Sequence, residues 1–166
     1  MSPDPHHYMG LALEEAARGY AQGEVPVGAV VVDTNGRVLS RAYNAPIACN
    51  DPTAHAEILA IRQAASELGN YRLTGSTLYV TLEPCPMCLG AMLHARLSKL
   101  VFGAPDPKWG AAGGVVDLTR VSGFNHYIVV IGGVRVEECA EILRRFFRER
   151  RQEKQQGFRG EVPKRP

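Results

Sequence analysis

The sequence predicts an α/β fold in three layers, α/β/α, with helices on both faces of a central mixed, mostly parallel five-stranded sheet. Three observations carry this. An Asn35-Gly36 dipeptide between two apolar runs reads as one tight hairpin turn. After it, strand and helix patterns alternate, which is the signature of a covered parallel sheet. The later strands are separated by connections of roughly 20 residues, long enough for the crossovers that parallel pairing needs.

The elements follow in order. Residues 7–21 read as a helix, with Met9, Ala12, Leu13, Ala16, Ala17 and Tyr20 near one face. Residues 25–33 form an apolar, β-branched strand, and the Asn35-Gly36 turn leads into a second strand over 37–43. Residues 44–53 read as a loop. A helix follows over 54–68, with Ile58, Ile61, Ala65 and Leu68 as its buried stripe and Asp51 or Thr53 as its cap. Residues 77–81 are a short strand, and Pro86 suits the first turn of a helix reaching residue 97. A strand over 99–103 precedes a Gly-, Pro- and Ala-rich exposed loop over 104–114, expected to line the site. Residues 127–131 are the last strand. Val136, Cys139, Leu143, Phe146 and Phe147 mark a final amphipathic helix. The expected domain spans 1–156, followed by a basic, flexible tail over 157–166.

At this length and with 45% hydrophobic and 22% charged residues, the chain reads as one globular domain. No apolar run approaches the ~20 residues of a membrane span, and the N-terminus lacks a secretory pattern, so the expected compartment is the cytoplasm and no membrane partner is expected. Four cysteines, two of them in Cys85-Pro-Met-Cys88, fit a metal site in a reducing compartment better than a disulfide framework. Net charge is +2 but uneven. Residues 144–166 hold nine basic and three acidic residues, on a body of net −4. Such an end is either an electrostatic handle for a polyanion or a solvated helix face.

The chemistry concentrates in two segments, Thr53-Ala54-His55-Ala56-Glu57 and Glu83-Pro84-Cys85-Pro86-Met87-Cys88. His55, Cys85 and Cys88 offer three zinc ligands, which leaves a tetrahedral position open, as in catalytic rather than structural sites. Glu57 has no ligand role in that set and reads as the proton carrier. This spacing is the known signature of the zinc nucleobase deaminases, H-x-E…P-C-x-x-C. The structural alternative is a closed zinc site, for which Cys49 is the nearby fourth ligand, or a pair of small core residues. Cys85 and Cys88 share a face at a helix start, where the helix dipole favours thiolate. On an ideal helix, however, Glu57 would point some 200° away from His55. His94 and His126 are ligands by residue type but lack motif spacing, and Cys139 belongs to the core stripe of its helix. Glu83 reads as a structural hydrogen-bonding residue rather than a second acid. Asn44, at the end of the second strand, reads either as an amide for a purine edge or as a turn residue. Arg144, Arg145, Arg148, Arg150 and Arg151 lie on or just after a helix whose other face is apolar, and the guanidinium fork suits phosphate.

With these residues in view, the chain resembles the bacterial tRNA-specific adenosine deaminase family from about Met9 to Gln152. Beyond the zinc motif, the resemblance rests on Glu24-Val-Pro-Val-Gly-Ala29, Asp51-Pro-Thr-Ala-His-Ala-Glu57, Asn70-Tyr-Arg72, Leu78–Cys85, Gly110-Ala-Ala-Gly113, Asn125-His126 and Phe146-Phe147-Arg148. It implies the cytidine-deaminase-like fold, a homodimer, one Zn2+ per chain and conversion of adenosine to inosine at the wobble position of an arginine tRNA. By motif match, His55, Cys85 and Cys88 would be ligands and Glu57 the catalytic proton shuttle. Asn44 would contact the flipped adenine. Asp106 and Lys108 would sit on the loop framing the substrate, and Asn125, His126, Phe147, Arg148, Arg150 and Arg151 near the tRNA anticodon loop. Pro105, Pro107 and Trp109 set this framing loop apart from some relatives. Two rivals remain: a deaminase of a free base or nucleoside such as guanine, which would need no tRNA, and a non-catalytic RNA-binding zinc subunit, which would have no use for Glu57.

Overall fold

The computed structural model describes residues 4–160. Its sheet has the strand order β2-β1-β3-β4-β5, built from β1 (Gly28–Val32), β2 (Val38–Tyr43), β3 (Thr77–Leu82), β4 (Lys99–Ala104) and β5 (Val129–Ile131). β1 runs antiparallel to both β2 and β3, while β3–β4 and β4–β5 are parallel. Four of the five strands therefore point one way, with β1 inserted against them.

The strands are apolar on both sides because both faces are covered. Ala29, Val31, Leu78, Val80, Leu100 and Phe102 turn to one face. There they meet α3 (Ala56–Leu68) and α4 (Pro86–His94). Val30, Val32, Tyr79 and Val101 turn to the other, under α1 (Pro5–Ala21) and α5 (Val136–Gly160). The period of two thus splits each strand between two cores. Each fully buried Val or Leu contributes about 1.5–3 kcal/mol. At Gly28 any Cβ would overlap the Ala12 carbonyl, so glycine is what lets α1 lie directly on β1.

Several expected boundaries move. The 44–53 segment contains a short helix, α2 (Pro46–Cys49), and closes on itself through Ala45 N–H to Ala54 C=O at 2.9 Å. α3 begins at Ala56, after an extended His55, and Asp51 does not cap it. Asp51 instead accepts from the amide and hydroxyl of Thr53, which hold its carboxyl below the usual range. Leu68 is 42% exposed rather than part of the buried stripe, which runs through Ala56, Ile58, Ala60 and Ala64. α4 ends at His94, and Tyr127 lies outside β5. α5 passes the expected tail boundary and continues to Gly160; of the tail, 161–166 lie outside the described residues. Among the described residues no helix is long and apolar enough to cross a membrane.

The carboxyl ends of β2, β3 and β4 and the start of β1 share one end of the sheet. α1 runs toward that end, because it feeds β1. Near it, Tyr20 packs edge-on against Phe146 at 5.4 Å and bonds Glu149, and Arg150 donates to the Gly23 carbonyl at 2.9 Å. The later turns of α5 therefore stand at the same end as the loops that follow β2, β3 and β4.

Candidate active site

His55 and Cys85 occupy equivalent positions. Each is the extended residue just before a helix, His55 before α3 and Cys85 before α4, and neither side chain caps its own helix. Their ligand atoms are therefore free to face each other across the two helix starts. Cys88 follows one turn into α4 and is fully buried. His55 Nδ1 lies 3.7 Å from Cys85 Sγ and 3.4 Å from Cys88 Sγ. Ligands on a tetrahedral zinc at 2.0–2.3 Å are spaced by about 3.4–3.8 Å, so both His55–cysteine distances fit that ion. All three ligand atoms lie within 4.8 Å of one another, and neither Cys49, which is exposed, nor His94 or His126 joins them.

The electrostatics single out one thiol of the pair. Cys85 is the thiol that ionises, drawn down to about 4 by the hydrogen bond from Cys88, with His55 adding to the effect against burial. Cys88 is pushed up because it gives that bond and is buried. The Cys85 bond in turn raises His55. A thiolate and an imidazole held this close suit a cation.

Glu57 is 3% exposed, and its Oε2 has no hydrogen-bond partner among the described residues. Burial pushes its carboxyl up to about 7, against the pull of its own amide and of His55. A buried carboxyl with one oxygen unpartnered is costly and is found where chemistry uses it. The expectation that Glu57 would point away from His55 assumed both were helical. His55 is not, so Glu57 at the second helical position turns back toward the ligands.

These residues open into a cavity of about 480 Å³, lined by Val25, Val27, Asn44, Pro52, Leu82 and Glu83 and reaching Met87, Asp106 and Trp109. That volume is in the range of small-molecule sites. The Asn44 backbone is fixed to Val27 by a 3.0 Å bond, which leaves its side-chain amide for the cavity.

Two buried carboxylates brace the surrounding loops, and Glu83 also lines the cavity. Glu83 accepts from the amides of Asp106 (3.2 Å), Ala112 (3.1 Å) and Gly114 (2.9 Å), and so pins the loop after β4. A Cβ at Gly110 would strike both that carboxylate and the Asp106 carbonyl. The structural reading of Glu83 is therefore the one the geometry bears out. Glu24 accepts from Ala48 at 2.8 Å and Ile47 at 3.4 Å, capping α2 from outside. Sequence reasoning missed this role; the only signal was an acidic residue opening an apolar strand.

The other expected contacts divide. Asp106 lines the cavity, whereas Lys108 is exposed on the same turn and its amide bonds Asp106 at 2.9 Å. Asn125 and His126 line a separate hollow with Tyr71, Arg72 and Arg96. There Arg96 holds Asn125, and the His126 ring bonds the Leu97 carbonyl at 2.6 Å. Phe147 is 45% exposed while its neighbour Phe146 is buried. Arg148 pairs with Glu141, Arg150 pairs with Glu153, and Arg151 is exposed. None of these four lines the cavity.

Residues 2–104 match the cytidine and deoxycytidylate deaminase zinc-binding region. The chain is 51% identical over 146 residues to the tRNA-specific adenosine deaminase of Haemophilus influenzae, covering 88% of this chain and 84% of the relative. It is 49% identical over 147 residues to that of Bacillus subtilis, covering 89% and 91%. A solved structure from work on A-to-I editing by tRNA:A34 deaminases at the wobble position of transfer RNA superimposes with a TM-score of 0.80 at 47% identity, over 82% of this chain and 99% of that one. The guanine deaminase from Nitrosomonas europaea has the same fold, with a TM-score of 0.73 at 24% identity over 87% of this chain and 85% of that one. With His55, Cys85 and Cys88 placed to hold a metal ion, a buried glutamate beside them and identity near one half to two such enzymes, the chain belongs to the zinc-dependent tRNA-specific adenosine deaminase family.

Proposed function

We propose that this protein deaminates adenosine to inosine at the wobble position of a tRNA, an arginine tRNA by family resemblance. The observation that carries the reading is the buried Glu57 carboxyl, its Oε2 unpartnered among the described residues, beside His55, Cys85 and Cys88 in a cavity of about 480 Å³. His55, Cys85 and Cys88 would hold one zinc per chain. When bound there, zinc supplies activated water near neutral pH, the nucleophile for hydrolytic loss of ammonia.

The chain's own residues do the rest. Glu57 takes up a proton as the nucleophile forms and passes it to adenine N1, which makes C6 electrophilic. The carboxylate, having given that proton up, takes a second one from the hydroxyl now bonded to C6 and hands it to the amine, which leaves as ammonia while the C6–oxygen bond becomes the carbonyl of inosine. Asn44 offers both a donor and an acceptor to the purine edge. Val25, Val27 and Leu82 give the base an apolar bed, and the pinned loop after β4 excludes water from one side. A base stacked in a duplex cannot reach this depth, so the substrate is an adenosine splayed out of a single-stranded loop. Lys108, Asn125, His126, Phe147, Arg148, Arg150 and Arg151 would serve the RNA outside the cavity. The exposed apolar side chains of Phe124, Tyr127, Val129 and Ile131 suit burial against a second copy, which supports the homodimer the resemblance implies. The compartment is the cytoplasm, where tRNA is decoded.

Incubation with total tRNA followed by sequencing is the test. Inosine at a wobble position is the expected product. Turnover of free guanine or adenosine with tRNA untouched would instead favour the free-base rival. Sedimentation should read a dimer at micromolar concentration; a monomer would remove that part of the proposal.

A further inference from the structure

Trp109 is the single tryptophan of the chain. A tryptophan used for packing buries its rings and bonds its N–H. This one does neither: it is 68% exposed, and its indole makes no hydrogen bond and stacks on no other ring among the described residues. Yet it lines the catalytic cavity, where Pro52, Met87 and Trp109 are the exposed members and so form its rim.

The backbone beneath the indole is fixed. Asp106 accepts from the amides of Lys108 at 2.9 Å and Trp109 at 3.2 Å, and Gly110 N–H closes the turn on the Asp106 carbonyl at 3.0 Å. Glu83 anchors the base of the same loop through three amides. Pro105 and Pro107 stiffen it further by fixing φ. A large exposed ring on a rigid mount loses little entropy when something settles on it. With the reacting nucleoside in the cavity, as proposed above, the nucleotides joined to it must leave across the rim. Unstacked bases of a single-stranded loop are met there by a flat π-face.

We propose that Trp109 is a positioning residue that stacks a nucleobase directly flanking the reacting adenosine. This rests on the RNA-loop reading above. It adds a second point of grip beside the cavity, and it makes the substrate at least a dinucleotide unit rather than a lone nucleoside.

The lone indole is its own reporter. The zinc-loaded protein is titrated with an RNA hairpin carrying an adenosine in its loop, while indole fluorescence, binding anisotropy of labelled hairpin and inosine formation are followed. Saturable quenching is expected, and it should be lost when one flanking nucleotide is made abasic. Trp109→Ala should raise KM for the hairpin about 5- to 150-fold, the range for losing one base–aromatic stack. It should leave kcat and zinc content near wild type, and Trp109→Phe should recover part of the loss.

A hairpin that is neither bound nor deaminated overturns the RNA reading and this inference with it. A hairpin that is bound and deaminated while the indole signal stays flat overturns the inference alone. So does quenching that is lost only when the target base itself is removed, or a Trp109→Ala variant with unchanged KM.

Discussion

Glu57, which we propose as the proton carrier, is also a burden on the fold, because a buried carboxyl with an unpartnered oxygen opposes burial. Glu57→Gln should therefore keep the fold and bind zinc as wild type does, with unchanged or higher thermal stability. It should lose deamination by about 10²- to 10⁴-fold in kcat, the usual worth of a positioned proton carrier. Metal analysis, a melting curve and turnover on one sample check all three together. The grouping of His55, Cys85 and Cys88, with Glu57 beside them, was legible in the sequence because metal ligation constrains residue type and spacing. The relation of Glu57 to His55 was not legible. It depends on whether His55 is helical, and an extended residue before a helix is set by where the chain enters α3 rather than by local propensity.

Among the elements, the loop after β4 is held more by one side chain than by its own composition. Removing the Glu83 carboxylate strips three amides of their acceptor. Hydrogen bonds to charged groups are worth about 1.5–3 kcal/mol each and are not additive, so Glu83→Ala should destabilise the protein by roughly 3 kcal/mol. Denaturant unfolding reads the stability loss. Because Asp106 and Trp109 ride on that loop, kcat/KM should also fall while zinc is retained, and assays of the same variant separate the two effects. The Gly- and Pro-rich composition announced a loop near the site, yet nothing local announced that its anchor was Glu83, some 23 residues before Asp106. The same limit explains α2, whose four residues lack a strong helical pattern and whose leading amides are satisfied by Glu24, which is distant in sequence. Long apolar periodicity showed the strands and the two layers. Contacts between segments set the ends of α3 and α4.

For the whole molecule, the uneven charge acquires a direction. Bonds from Tyr20 and Arg150 bring the later turns of α5 to the end of the sheet where the cavity opens. A basic helix there can track a phosphate backbone without touching the reacting base. Alanine at Arg148, Arg150 and Arg151 together should weaken tRNA binding and flatten its dependence on salt, by about 0.7–0.9 in logarithmic slope for each phosphate no longer neutralised. Zinc content should not change, since the ligands lie in the opposite helical layer. Affinity measured across a salt series decides it; an unchanged slope would leave the arginines as a solvated face. The layer order and the lone hairpin were legible from the strand–helix alternation. The end of the molecule to which the charge belongs needed the packing of α5 on α1.

That packing has a mechanical consequence. α5 is about 37 Å long at 1.5 Å per residue, and from residue 147 to 157 every described side chain is exposed. The helix is thus a beam clamped as far as Arg150 and cantilevered beyond it. An isolated helical stretch of that length is marginal in water, so the overhang draws its order from the clamp at Tyr20 and Gly23 and from whatever anion settles along it. Substrate would then meet a half-rigid arm that stiffens from its root outward as phosphates engage, and the body carrying the metal ligands need not move at all.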